Sequence, residues 1–427
     1  MRVLVVGQGG REHALCWKLR QSPSVTEIYA APGNPGIAAV ADCVPIGVAD
    51  IIELADFAEK LKIDLTVVGP ELPLTLGIVD EFRKRNLTIF GPSRLAAELE
   101  GSKVFSKEFM RKYEIPTAEA TVCANYDEVV AALKKAKYPK VLKVDGLAQG
   151  KGVFLLHDKA EAESVATQVF KERKFGNAAD RVLVEDFLDG EEVSFLVLTD
   201  GRRVAPLAPT KDYKKAFDGD EGPNTGGMGA HSPAVVLHSE MGAEILRKIV
   251  VPTLQGMEAE GRLYTGCLYI GLMLTPDGPK VLEYNCRFGD PETQVQMLRL
   301  ESDLAAVMMQ IARGELTEPK LAWKKEAAAC VVMAANGYPG EITTGAPVTI
   351  PPVADDSVML FHAGTKKADG GIVVSAGRVL SVCARGATLS EALRKAYAVT
   401  DKVTFEGAHF RRDIGWSVLE RKTAAAE

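Results

Sequence analysis

Near residue 283 the chain reads Val281-Leu282-Glu283-Tyr284-Asn285-Cys286-Arg287-Phe288-Gly289-Asp290-Pro291-Glu292. An apolar approach runs into alternating polar residues, and side chains on a strand leave on opposite faces with a period of two. That spacing puts Glu283, Asn285 and Arg287 on one face. A carboxylate beside an amide oxygen offers hard ligands for Mg²⁺, and a guanidinium two residues on can hold a phosphoryl oxygen bidentately. The set suits phosphoryl transfer, in which a protein mostly positions groups and neutralises charge. A solvated edge strand carries the same pattern and, for the motif alone, is the commoner source.

Three other segments offer groups for the same chemistry. Gly7-Gln8-Gly9-Gly10-Arg11-Glu12-His13 lies between a strand pattern and a helix pattern, where backbone N–H groups suit a phosphate or carboxylate. It fails as a dinucleotide fingerprint, because Glu12 stands where the third glycine belongs and no acidic ribose partner follows Ala31-Pro32-Gly33. A purely structural turn and an anion site stay equally open, with Arg11 and His13 leaning towards the anion. Lys143-Val144-Asp145-Gly146-Leu147-Ala148-Gln149-Gly150-Lys151-Gly152 sets lysines about a glycine turn. Glycine lets backbone close over phosphates and lysine acts as a point charge, although solvated hairpin lysines look alike. Glu185-Asp186-Phe187-Leu188, followed by Gly190-Glu191-Glu192-Val193-Ser194, joins carboxylates for ribose hydroxyls to an apolar wall for a purine. An acidic surface turn fits that stretch equally well.

Elements must hold these groups in place. The chain has 427 residues, 47% hydrophobic and 25% charged, which predicts a globular protein of several domains. A net charge of −6 leaves no nucleic-acid footprint. Seven scattered cysteines and six histidines show no metal-ligand spacing, and no apolar run is long enough to span a bilayer. A reducing cytoplasm is the expected setting, with no membrane and no nucleic acid as partner. Through residue 100, short apolar runs alternate with helical patterns, predicting a parallel sheet with its polar turns at the strands' carboxyl ends. One helix is expected over 94–113. A hairpin follows at 140–156, strands at 181–185 and 192–198, and a long irregular functional loop at 211–229. Residues from about 327 onward read as a separate α+β unit.

The lysine-flanked glycine turn, E-x-F-L, G-x-E-x-S and E-x-N-x-R, in this order, resemble the ATP-grasp fold. More closely, the chain resembles the glycinamide ribonucleotide synthetase family of purine biosynthesis, over essentially its whole length. The likeness rests on Gly7–Ala14, Gly69-Pro70-Glu71, Gly101-Ser102-Lys103, Lys143–Val153, Lys211–Gly229, Glu283–Glu292, Gly337-Tyr338-Pro339-Gly340 and Phe361-His362-Ala363-Gly364-Thr365. The run Asp218-Gly219-Asp220-Glu221-Gly222-Pro223-Asn224-Thr225-Gly226-Gly227-Met228-Gly229 is its most specific part.

The resemblance implies an α/β and α+β multidomain protein. An N-terminal parallel-sheet α/β domain (1–101) precedes a central ATP-grasp unit (102–326) with a mobile lid at about 117–190, and a C-terminal α+β domain (327–427). It implies an ATP-dependent ligase joining glycine to 5-phospho-β-ribosylamine through glycyl phosphate, with Mg²⁺ or Mn²⁺, as a monomer or weak homodimer. Such chemistry needs no covalent nucleophile, in keeping with the lack of a Ser/His/Asp or Cys/His set. Lys103, Lys143, Gly150, Lys151 and Gly152 would meet ATP phosphates, with the 145–152 turn as a lid. Glu185, Phe187 and Glu192 would take adenine and ribose. Glu283 and Asn285 would hold the metal, and Arg287 would stabilise the transferring phosphoryl group. Asp212, a catalytic candidate, with Thr225, Gly226, Gly227 and Asp290 would shape the glycine or ribosylamine site. Gly9, Gly10, Arg11, Glu12, His13, Gly69, Pro70 and Glu71 are candidates for the phosphoribosyl group. Two departures stand out: Gln149 replaces a small residue, and the strand at 267–274 supplies no further carboxylate for a metal.

Overall fold

The computed structural model describes residues 1–134, 136–147, 152–234, 236–317, 320–416 and 418–419. Its first sheet is wholly parallel, in the order Asp42–Cys43, Glu27–Pro32, Arg2–Gly7, Leu65–Val68, Ile89–Phe90. Val3 to Val6 are fully buried, as a strand covered on both faces requires. The chain reverses its winding between Arg2–Gly7 and Leu65–Val68, so the turns at Gly9 and Gly69 meet at the switch point where such sheets take ligands.

The expected helix over 94–113 is two helices, Arg94–Gly101 and Lys103–Lys112. Ser102 breaks them with an extended backbone (φ −136°, ψ 115°), and its hydroxyl accepts from the Phe105 amide. A serine N-cap satisfies a helix-start donor that propensity alone does not anticipate. The hydroxyl also donates to Asp145 Oδ1 at 2.8 Å, tying the new helix to the glycine turn.

Two antiparallel sheets follow. One has the order Ala120–Cys123, Val182–Asp186, Lys140–Val144, Val153–Leu156, under the helices Tyr126–Leu133 and Lys159–Ala166. Its core, from Cys123 to Val184, is drawn from this unit alone. The other has the order Val204–Pro206, Glu191–Thr199, Gly266–Thr275, Gly278–Asn285. It shares a core with the parallel sheet, since Leu4 and Val6 cluster with Val193, Ile270 and Tyr284. The crossing between the two sheets passes Gly190, where a Cβ would lie 2.2 Å from the Leu274 carbonyl oxygen, so only glycine fits.

The last large sheet has the order Lys211–Asp212, Gly229–Ser232, Ala327–Ala334, Arg378–Gly386, Val358–His362, and the helix Leu389–Thr400 packs on it. The 211–229 stretch, expected to be irregular, is therefore strand at both ends, with a hairpin of Lys215–Phe217 and Glu221–Asn224 between. Its glycines and charges carry no apolar period. The fully buried Ala327–Ala334 strand recruits it by pairing. Among the described residues no helix is long and apolar enough to cross a membrane.

Candidate active site

Glu283 pairs in register with Gly271, and Asn285 with Tyr269. The strand stops at Asn285, and Arg287 turns back so that its Nη2 donates to Asn285 Oδ1 at 3.2 Å. Arg287 Nε also lies 3.3 Å from Glu71 Oε2, Nη2 lies 3.1 Å from Glu100 Oε1, and Nη1 donates to the Phe288 carbonyl at 3.2 Å. Lys214 Nζ stands 3.7 Å from Glu283 Oε1. Burial alone would raise the Glu283 pKa, but Lys214, Lys143, Lys103 and Arg287 outweigh it and hold the carboxyl below its usual range. One carboxylate and one amide oxygen thus sit amid four positive groups, an environment for a polyphosphate with a hard cation.

The lysines arrive from different elements. Lys103 opens its helix beside the break, and its Nζ donates to the Gly146 carbonyl at 3.3 Å. Lys143 Nζ reaches across to the Leu282 carbonyl at 2.8 Å, linking the sheet of Lys140–Val144 to the strand that bears Glu283. It also lies 2.8 Å from Glu185 Oε2, whose other oxygen is 3.0 Å from Lys107 Nζ. Glu185 is only 3% exposed. Burial pushes its carboxyl up, and the two lysines more than offset that, leaving it lowered. Both of its oxygens are engaged by lysines, whereas the sequence had suggested a ribose ligand. Phe187, just past that strand, is exposed, and Glu192 pairs with Lys214. The Gly152 carbonyl accepts from the Val144 amide within the hairpin, while Gly150 and Lys151 lie outside the described residues.

Asp212 Oδ1 is buried and has no hydrogen-bond partner. Burial, then the nearby Glu292, drives its pKa well up, against the pull of Lys214 and Arg378. Glu292, 2% exposed in the first turn of Glu292–Arg299, accepts from Ser194 Oγ at 2.8 Å, and that hydroxyl meets Tyr269 OH at 2.9 Å. The Thr225 amide and hydroxyl both bond the Lys214 carbonyl, at 2.7 and 2.8 Å, and the Gly227 amide donates to Thr225 Oγ1. Gly227 has φ +115°, and a Cβ there would approach Asp212 Oδ1 to 2.8 Å. Arg378, from the last sheet, donates to the carbonyls of Gly226 (2.7 Å) and Asp290 (2.6 Å) and pairs with the Asp290 carboxylate. Tyr338 OH accepts from the Gly226 amide at 2.9 Å. The first half of the diagnostic run is anchored elsewhere: fully buried Arg411 pairs with Asp220 and Asp413, and the Arg412 amide donates to Asp218.

At the N-terminal turn the carboxylate of Glu12 faces inward. It accepts from the Gly9 amide and from Arg11 Nε, both at 2.5 Å, and a Cβ on Gly69 would fall 2.0 Å from its Oε1. Arg11 Nη1 continues to the Phe288 carbonyl at 3.1 Å. His13 Nδ1 accepts from the His362 amide at 2.8 Å, and burial, with His362 adding, lowers its pKa to about 3. Glu12 and His13 therefore brace the turn, while Gly9, Pro70 and Glu71 keep partly open faces towards the strand end. A separate cavity of about 1130 Å³ opens between Phe154, Lys215 and Tyr338, and its walls include none of Glu283, Asn285 or Arg287.

Sequence reasoning did not single out Lys107, Lys214, Glu292 or Arg378. Lys214 had a signal, since it stands two residues from Asp212, and Glu292 closed a recognised motif. Nothing in the sequence marked Lys107 or Arg378.

Two sheets clasping a lysine-ringed strand end define an ATP-grasp protein. The biotin carboxylase domain of Hydrogenobacter thermophilus 2-oxoglutarate carboxylase, solved with MgADP, shares this fold with a TM-score of 0.75 at 16% identity, over 96% of this chain and 91% of that one. Within that class the chain belongs to the phosphoribosylglycinamide synthetase family, whose N domain matches residues 1–100, ATP-grasp (A) domain 101–293 and C domain 328–417. It is 49% identical to the phosphoribosylamine–glycine ligase of Escherichia coli, over 99% of this chain and 100% of that protein. The crystal structure of the Thermotoga maritima phosphoribosylamine–glycine ligase superposes with a TM-score of 0.84 at 35% identity, covering 97% of this chain and 100% of that one.

Proposed function

We infer that the chain carries the family's activity: it is a phosphoribosylamine–glycine ligase of purine biosynthesis, making glycinamide ribonucleotide, ADP and phosphate. The carrying observation is the Glu283–Asn285–Arg287 strand end ringed by Lys103, Lys143 and Lys214 and faced by the unpartnered Asp212 oxygen. A carboxylate oxygen of glycine attacks the γ-phosphorus of ATP and ADP departs. The ribosylamine nitrogen then attacks the glycyl carbonyl, phosphate leaves, and the nitrogen loses a proton.

In our assignment Lys103, Lys143 and Lys214 neutralise the phosphates, and Arg287 meets the transferring group. Glu185 orients Lys143 and Lys107, while the exposed Phe187 and its backbone take the adenine. Glu192, bound to Lys214, borders the ribose. Asp212, beside Glu292, accepts from the reacting amine, and Thr225–Gly227 with Asp290 wall that site. Gly9–Arg11 and Gly69–Glu71, at the switch point, take the phosphoribosyl group.

Glu283 and Asn285 would hold the metal. Among the described residues no cluster of three acidic, His or Cys side chains forms a resident cation site, which suits an ion completed by nucleotide oxygens. Oxygen-only donors favour Mg²⁺ or Mn²⁺, and the ion would offset charge on the triphosphate. We also propose divisions near 101 and 326, a lid over about 117–190 supported by its separate core, and a monomer or weak homodimer. Seven free cysteines favour a reducing, cytoplasmic setting. ADP release with glycine and ribosylamine together, and with each omitted in turn, tests the reading. Equal release without ribosylamine would reject ligation.

A further inference from the structure

Glu100 is a buried carboxylate with no part in the roles assigned so far. It lies at the end of the helix Arg94–Gly101, its side chain 7% exposed. Among the described residues its side chain meets the two that follow the strand, Cys286 and Arg287. Oε2 accepts from the Cys286 amide at 2.7 Å and from Cys286 Sγ at 3.0 Å, and Oε1 lies 3.1 Å from Arg287 Nη2. The helix break makes this possible. Glu100 and Lys103 flank Ser102, so one reaches Arg287 while the other feels the charge of Glu283. A second carboxylate on Arg287, that of Glu71, is 26% exposed and sits beside the ligand-binding switch point.

A charge held in the interior needs a partner at a fixed distance, and an arginine fork so held keeps one orientation. We propose that Glu100 is the positioning residue for Arg287: it anchors the guanidinium permanently, while Glu71 is the partner that yields when the phosphoryl group arrives. This rests on the role given to Arg287 above.

The test compares Glu100→Gln, Arg287→Ala and the double variant in the full chain. Glu100→Gln keeps shape and one acceptor but removes the charge. It should lower kcat at least about tenfold and leave KM for ATP nearly unchanged, the pattern of a contact that matters in the transition state. Added guanidinium ion should restore part of the turnover lost in Arg287→Ala and none in the double variant. Normal kcat in Glu100→Gln, or equal rescue in the double variant, overturns the proposal. Normal kcat in Arg287→Ala instead removes the role of Arg287 itself. If Glu100→Gln does not fold, Glu100→Asp carries the test. It keeps the charge but withdraws it by one methylene, so its kcat must fall while KM holds, and an unchanged kcat overturns the proposal.

Discussion

At Glu283, three lysines and an arginine outweigh the burial that would otherwise favour the protonated acid. Removing this carboxylate leaves those cations without their shared counter-charge and takes away a hard ligand, so Glu283→Ala and Asn285→Ala should each cut turnover by a few orders of magnitude. Both proteins should still fold, because the pair lies at a partly exposed strand end. Near-normal turnover of both at limiting Mg²⁺ would refute the assignment. Arg287 is subtler. Its fork spans Glu71, Glu100, Asn285 and the Phe288 carbonyl, which one ammonium cannot do. Arg287→Lys should therefore lose activity mainly in kcat, and a change confined to KM for ATP would demote it to a ground-state contact.

At the scale of elements, the break at Ser102 is where fold and chemistry meet. The serine caps one helix, ties to Asp145 of the glycine turn, and sets Glu100 and Lys103 on either side. Ser102→Ala should cost about 0.5–2 kcal/mol in stability, the range of a lost N-cap. It should also raise KM for ATP, because Lys103 loses its fixed starting point. Urea unfolding with steady-state kinetics reads both, and a stability loss with unchanged KM would make the break purely structural. Gly101 and Ser102 are the weak helix formers of residues 94–112, but a hydrophobic pattern read across them misses the break, and the Ser102 hydroxyl is further tied to Asp145, 43 residues away.

Across the whole molecule, the N-terminal turn and the last sheet meet at two buried imidazoles. Burial lowers His13 from its ordinary 6.5 to about 3 and His362 to about 4. Between those values and 6.5 the unfolded chain binds the extra protons, so the histidines' contribution to stability is complete above pH 6.5 and shrinks as the pH falls towards 4. The depressed carboxyls of Glu283 and Glu185 keep their contribution until the pH drops below their ordinary 4.5. Asp212 and Glu100, raised by burial, act in the opposite sense, so a comparison of variants is needed. His13→Gln should flatten the fall of Tm between pH 7 and 5, measured by calorimetry at matched ionic strength. An identical slope would show that the imidazole does not titrate with unfolding.

The alternation Glu283-Tyr284-Asn285 needed no third dimension, because a strand's period of two is local geometry. The parallel sheet was equally legible, since strands buried on both faces read as continuous apolar runs broken by turns. The partners of the charges were not. Glu185 meets Lys107, Glu100 meets Arg287 and Arg378 meets Gly226, pairs separated by 78, 187 and 152 residues (185 − 107, 287 − 100, 378 − 226). The same distance in sequence hid the strand Gly229–Ser232, which pairs with Ala327–Ala334 and in turn carries Lys211–Asp212. Charged and glycine-rich segments have no periodic apolar signal, so what they bind is set by the electrostatics and hydrogen bonding of whichever elements the core brings beside them. Local order along the chain marked where chemistry could occur, and only long-range packing decided which carboxylates support the cations and that Asp212 Oδ1 is buried without a partner.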